Sequence, residues 1–439
     1  MVGGGRPTPA LPGGAGRVVA GRPAGRPLGV TVAGRRRRRG GGGGGAPVVP
    51  VAPSRGRGGL ARPPRDPARG TGPGAVRTGV DHGRPSTGRS GDVLRNGWRW
   101  ARAWYALRGA EVPLASTPAD VVFTQGPVRL LHYRPTAQRV FAVPLLLVPS
   151  LINRHYVLDL TPRRSLVRYL RDSGFDVWLV DWGTPGCADR FVTLGDHIDG
   201  YLRRCVDEVR AATGAVGLSL LGYCIGGVLT VIFTARYPRR VRNLVTLAAP
   251  IDFREAGLLG AWAAAPYFPV DQLVDTLGNP PGWLLQASFR ALRPLTRLRN
   301  LVALWERADD PEQLLEFVAL HRWVEDSVPV PGETYRQFVR DCYQRNLLAE
   351  GRLTVEGERV DLRRIRCPLL NVVATQDHIC PLLSAMALNR LVGSRDLTLL
   401  TLPGGHVGAV VGREGTEVFW PRLRAWLRRR SGSRTRRVR

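Results

Sequence analysis

Six apolar runs constrain this chain more than any other feature in it. Residues 142–149, 177–180, 216–221, 241–247, 369–374 and 397–402 are too continuously hydrophobic for strands with one wetted face, so each reads as a strand buried on both sides. Amphipathic helical stretches lie between several of them, at 165–171, 194–213 and 228–236, the last closed by Tyr237-Pro238. Strands alternating with helices at this spacing make βαβ units, and βαβ units make a mostly parallel sheet flanked by helices. Two shorter β-like runs, 121–124 and 128–133, come before the series, joined by the hairpin turn Gln125-Gly126-Pro127. A final helix at 417–430 closes the domain.

The alternation breaks between 251 and about 350, where the sequence is helical in texture and rich in Trp, Leu and Pro. This stretch reads as a cap inserted between two strands of the sheet, the alternative being extra helices packed on one flank. The first 90 residues hold 25 Gly and 13 Pro, and the apolar residues among them follow no period. Such a segment buries too little surface to offset its ordering entropy, so 1–94 is expected to be a disordered Gly/Arg/Pro-rich tail. Trp98, Trp100 and Trp104 mark the change to core-forming sequence, and the catalytic domain is expected to span 95–430, followed by a basic tail at 431–439. A misassigned start is expected as the origin of the long N-terminal tail. Met386 is the only methionine besides Met1, so a shorter product would begin at a non-Met codon such as that of Val93.

The net charge of +29 invites a nucleic-acid reading, and its location argues against one. Residues 1–90 carry 17 Arg against Asp66 and Asp81, and 428–439 carry seven Arg and no acid, which leaves an ordinary +7 for the whole stretch between. All 64 basic residues are Arg, a bias that fits a GC-rich coding sequence better than a binding requirement. The Arg runs are read as solvated tails, with nonspecific binding to phosphate backbones as the alternative. After Arg39 comes a run of six Gly where an export signal would need apolar residues, and no apolar run is long enough to cross a bilayer. A cytosolic protein with its six cysteines reduced is expected. No CxxC pair or His/Cys spacing suggests a metal site.

The chemistry is concentrated at the strand ends. The run 216–221 leads into Gly222-Tyr223-Cys224-Ile225-Gly226-Gly227 and then a helix. Small residues two before and two after a nucleophile permit the sharp strand-to-helix turn that lifts it to the carboxyl edge of a sheet. Cys224 is therefore the candidate nucleophile, and the alternative is a buried cysteine packed among glycines. The Ile225 amide, with a second donor near Ser150 or Leu151, would form an oxyanion hole. The acid and base of a triad should follow at the ends of later strands, in that order. Asp377 follows 369–374 and His406 follows 397–402, as expected for acid and base. Taken singly, Asp377 also suits a turn or helix cap, and His406 a loop. His378 competes for the role of base, but side chains of neighbouring residues diverge at a strand end, so a supporting place is expected for it. His155, His197 and His321 are read as structural or surface residues.

The choice of cysteine is itself informative. Thiolate attack on a thioester yields another thioester at nearly the same free energy, so the acyl group stays activated for a second acceptor. Acyl transfer from a thioester donor is thus favoured over simple ester hydrolysis.

These residues and several others resemble the catalytic subunit of polyhydroxyalkanoate synthases, from about residue 115 to 428. The resemblance is carried by the stretch 149–160, by Arg164-Ser165-Leu166-Val167, by Gly174-Phe175-Asp176-Val177 and by Asp181-Trp182-Gly183. It continues through the elbow with its double glycine, Pro331-Gly332-Glu333, Arg336-Gln337-Phe338, Tyr343-Gln344-Arg345-Asn346, Asp377-His378 and Pro403-Gly404-Gly405-His406. The intervals from Cys224 to Asp377 and from Asp377 to His406 are similar to those of the short, two-component synthases. The resemblance implies an α/β-hydrolase fold, an acylated Cys224, a His406 base and an Asp377 partner. It further implies a cap roofing a channel for 3-hydroxyacyl-CoA, CoA as product rather than cofactor, and a growing polyester on a granule surface. A homodimer whose caps meet and a second synthase subunit are also implied. The competing readings are a thioesterase or polyester hydrolase on the same scaffold, and a nonenzymatic granule- or nucleic-acid-binding protein.

Overall fold

The computed structural model describes residues 97–99, 101, 105, 112–294, 302–306, 309–433 and 436–437. The expected tail at 1–94 lies outside them. Eight strands form the main sheet: β1 (Ala119–Gln125), β2 (Val128–Tyr133), β3 (Leu145–Val148), β4 (Val177–Asp181), β5 (Leu218–Tyr223), β6 (Val241–Leu247), β7 (Leu369–Ala374) and β8 (Leu397–Leu402). Their spatial order is β1-β2-β4-β3-β5-β6-β7-β8. β2 is antiparallel to both its neighbours, and all the other pairings are parallel. The mostly parallel sheet is the one that the alternation of strands and helices implied, and its architecture is the α/β-hydrolase fold that the resemblance implied.

Alternate residues of each strand enter opposite cores, which is why the runs are apolar without interruption. Leu145 and Leu147 of β3 pack with α1 (Leu166–Asp172), whereas Leu146 and Val148 pack with α2 (Arg203–Thr213) and α3 (Ile225–Arg236). Ser165 caps α1 by accepting from the Arg168 amide, and Gly214, at φ +68°, ends α2. A π-helical stretch, Asp196–Leu202, leads into α2, so the single expected helix at 194–213 is two segments of different pitch.

Between β6 and β7 the chain forms α4 (Gly257–Ala263), α5 (Val270–Leu277), α6 (Gly282–Ala291), α7 (Pro311–Glu325) and α8 (Gly332–Gln337). Asp310 caps α7 by accepting from the amides of Glu312 and Gln313. The motif residues beyond α8 tie this helical insertion together. Gln344 Nε2 donates to the carbonyls of Ala263 and Phe268, and Asn346 Oδ1 accepts from the Phe253 amide at 2.8 Å. After the insertion, α9 (Leu382–Met386) follows β7 and α10 (Trp420–Arg430) ends the helical layers.

Four expectations need correcting. β8 is buried on one face only, with Leu397 and Leu399 each 40% exposed, because it is an edge strand whose outer side no helix covers. The strand expected at 216–221 begins and ends two residues later, and Val216 is exposed. Trp98, taken as a mark of core-forming sequence, is exposed, and the first buried residue among those described is Thr117. The basic C-terminal tail is not wholly free: Arg436–Arg437 pair antiparallel with Arg139–Val140. No helix among the described residues is long and apolar enough to cross a membrane.

Candidate active site

Cys224 sits between β5 and α3 at φ 55° and ψ −124°, a left-handed conformation that a residue with a Cβ rarely adopts. The glycines around it explain how the turn is tolerated. A Cβ on Gly222 would lie 2.3 Å from Thr230 Oγ1, and one on Gly226 would lie 2.2 Å from the Val148 carbonyl oxygen. One on Gly227 would lie 2.4 Å from Ala249 Cβ. Helix α3 therefore packs directly against the strand ends. The Cys224 amide donates to the Leu247 carbonyl at 3.0 Å, and its own carbonyl accepts from the amides of Gly227 and Val228. The thiol-bearing residue is 8% exposed, at the amino end of a buried helix.

β7 and β8 bring Asp377 and His406 to the same sheet edge. Asp377 Oδ1 accepts from the amides of Ile379 and Cys380 at 2.9 and 2.8 Å. Its Oδ2 accepts from His406 Nδ1 at 2.7 Å. That contact fixes the imidazole tautomer and leaves the other ring nitrogen available to Cys224, which lines the same cavity. Burial pushes the His406 imidazole down, but Asp377 and Cys224 together outweigh it and hold the ring well above its ordinary value. The other buried thiols and the half-buried Cys367 have no such partner: burial pushes Cys205 and Cys367 up to about 12 and raises Cys342 and Cys380 as well. Cys224 is thus the buried cysteine with a base beside it.

Two cavities meet at Cys224. The narrower, about 130 Å³, is walled by apolar residues that include Leu151, Ile225, Leu285, Val330 and Phe338, with Trp262 among its lining residues. The wider, about 1120 Å³, is lined by Ser150, Tyr223, His406 and a set of cap residues that includes Arg290, Arg293 and His321. The candidate oxyanion-hole residues therefore divide between the two, Ile225 and Leu151 on the narrow side and Ser150 on the wide side.

His378 is not packed beneath Asp377 and His406. It is exposed on the wide cavity's wall, with its ring turned to Arg293. Of the three histidines read as structural or surface residues, His197 is buried and bonded to Thr193 and Thr334, and His155 pairs with Asp181 at 3.0 Å. His321 is exposed, in keeping with a surface residue, and lines the wide cavity. Sequence reasoning also passed over Tyr223, whose ring lies 5.1 Å from that of His406 and whose buried hydroxyl has no partner among the described residues. Its position beside Cys224 in the elbow was the one available signal. Among the described residues no cluster of His, Cys, Asp and Glu has the arrangement of a metal site.

Comparison with known proteins bears on this geometry. Residues 143–412 match the family model for the alpha/beta hydrolase fold, and 109–170 match that for the poly-beta-hydroxybutyrate polymerase (PhaC) N-terminus. The poly(3-hydroxyalkanoate) polymerase subunit PhaC of Allochromatium vinosum is 39% identical over 328 residues, covering 74% of this chain and 92% of that protein. The subunit of the same name from Haloferax mediterranei is 37% identical, covering 74% and 67%, and that from Synechocystis is 35% identical, covering 74% and 88%. Among solved structures the chain is similar to a monoacylglycerol lipase from Paleococcus ferrophilus, 18% identical, covering 66% of this chain and 97% of that one with a TM-score of 0.42. With a relative matched at this identity over nearly its full length, the chain belongs to the PhaC family of poly(3-hydroxyalkanoate) polymerases, on the α/β-hydrolase fold.

Proposed function

We propose that the chain polymerises 3-hydroxyacyl-CoA through acyl thioesters on Cys224. The observation that carries this reading is the strained, buried Cys224 lining one cavity with a His406 whose Nδ1 is anchored on Asp377. His406 takes the thiol proton, and the sulfur attacks the acyl carbonyl of the incoming thioester. The amide of Ile225, at the start of α3, and one from Ser150 or Leu151 stabilise the oxyanion. The carbonyl re-forms as CoA departs with a proton from His406, leaving the acyl group on Cys224. His406 then deprotonates the hydroxyl of a second 3-hydroxyacyl-CoA, which attacks the acyl-enzyme. The bond between Cys224 and the acyl group breaks, and the thiolate takes the proton back from His406. The chain, longer by one ester bond, stays on CoA and returns to Cys224 by the first step. No cofactor is required, because the thioester itself drives the step. Activity at the surface of the insoluble product, as a homodimer and with a second subunit, completes the proposal. The exposed Leu258, Tyr267 and Trp283 of the cap give it apolar surface for such contacts.

The test is thiol release from 3-hydroxybutyryl-CoA by the purified full chain, beside Cys224→Ala, with recovery of insoluble polyester. Release that requires Cys224 and accompanies polymer supports the proposal. Release with only soluble 3-hydroxybutyrate moves the chain to the hydrolases.

A further inference from the structure

The wide cavity carries a charge that the steps at Cys224 do not use. Among its described lining residues Glu325 is the one carboxylate, and it is already paired with Arg290. Arg293, just beyond α6, has a different partner: its Nη2 donates to His378 Nε2. A guanidinium has donors only, so the histidine nitrogen accepts. An imidazole acceptor orients the guanidinium without cancelling its charge, and no carboxylate pairs with Arg293 among the described residues. The exposed end of the cavity therefore presents an oriented, uncompensated cation, while its inner end is Cys224 and His406.

A cation so placed suits a substrate that is extended, reactive at one end and anionic at the other. The acyl part of a thioester is uncharged and suits the narrow apolar cavity that also reaches Cys224. Arginine matches phosphate oxygens with two parallel donors, a geometry lysine cannot reproduce. We infer that Arg293, oriented by His378, binds a phosphate group of the CoA moiety, so that the wide cavity holds the nucleotide-bearing arm and the narrow one the acyl chain. This inference deepens the proposed function and rests on it. It also gives His378 a task that its neighbour Asp377 does not share. The turn after β7 delivers one side chain inward to His406 and the next outward to the phosphate anchor.

The experiment compares 3-hydroxybutyryl-CoA with its phosphate-free N-acetylcysteamine thioester in the full chain. In Arg293→Ala the ratio of kcat/KM for the two substrates falls about tenfold, as expected for loss of one charge-assisted hydrogen bond at an exposed site. The loss lies in KM for the CoA thioester, Arg293→Lys recovers part of it, and Arg290→Ala moves the ratio less. An unchanged ratio, or an equal fall for both thioesters, overturns the inference. Should the wild-type chain turn over neither thioester, the proposed function fails, and the anchor is decided by calorimetry of CoA binding to Cys224→Ala. Binding that weakens about tenfold on adding Arg293→Ala upholds it, and binding indifferent to Arg293 overturns it.

Discussion

The elbow around Cys224 and the cap above it are packed by different rules. At the elbow, backbone meets backbone: a single methyl on Gly226 would overlap two carbonyl oxygens, of Val148 and Pro149. In the cap, side chains set the shape, and several large ones are mostly exposed, among them Tyr267 and Trp283. The nucleophile's position is therefore fixed by contacts that no substitution can relax, while the walls around it can be exchanged residue by residue. A scaffold divided in this way can alter what it accepts without moving the atom that reacts.

The largest expected effect falls at the rigid end. Cys224→Ala should leave the fold intact and, on the proposed mechanism, reduce CoA release at least about 1,000-fold, since a nucleophile and its base act as a unit. Release above about 1% of the wild-type rate, in a variant whose circular dichroism is unchanged, would remove Cys224 from the mechanism. Next in size is a pair of glycine substitutions that sets elbow against cap. Gly226→Ala drives a Cβ to 2.2 Å from a carbonyl oxygen and should cost about 3 kcal/mol or more, or prevent folding. Gly278→Ala, at the end of α5, meets no atom within 4 Å but keeps φ near +67°, so only conformational strain of about 1 kcal/mol applies. Urea midpoints for the two variants would refute the contrast if they fell together.

His406 connects the two rules, because its backbone belongs to the sheet edge and its proton belongs to the site. Burial disfavours its charged form, yet Asp377 and Cys224 raise it well above the ordinary imidazole value of 6.5. A group whose folded value is raised stabilises the fold fully below its unfolded value and loses that contribution as pH rises through the folded one. The unfolding free energies of wild type and His406→Gln should therefore differ most below pH 6.5 and converge as the medium becomes alkaline. A difference that is flat or grows with pH would mean that the folded site does not hold the extra proton.

Most of the sheet was legible in the sequence, and the reason is physical. The runs 241–247, 369–374 and 397–402 coincide with β6, β7 and β8, because a strand between two helical layers is apolar from end to end. The convergence of Cys224, Asp377 and His406 was legible for the same reason: each follows a strand, and parallel strands end on one edge. β8 shows the limit, since its run is apolar although one face is open to solvent. The place of His321 on the cavity wall and the turn of His378 toward Arg293 left no local trace. Both depend on cap residues far away in sequence, and a lone histidine has the same surroundings in the chain whether it ends in a wall, a core or solvent.

The smallest expected effect tests the cap's half of the comparison. Trp283 heads α6 and is 67% exposed, so little of its ring is buried on folding and Trp283→Ser should change stability by no more than about 0.5 kcal/mol. Urea unfolding at two protein concentrations well apart makes the measurement decisive. A small cost, equal at both concentrations, leaves the cap as a wall whose outer residues are free to vary. A cost above about 1 kcal/mol that grows with protein concentration would mean that a second copy covers the tryptophan, since association adds stability by mass action. The outer face of the cap would then be as constrained as the elbow, by a partner in place of a backbone.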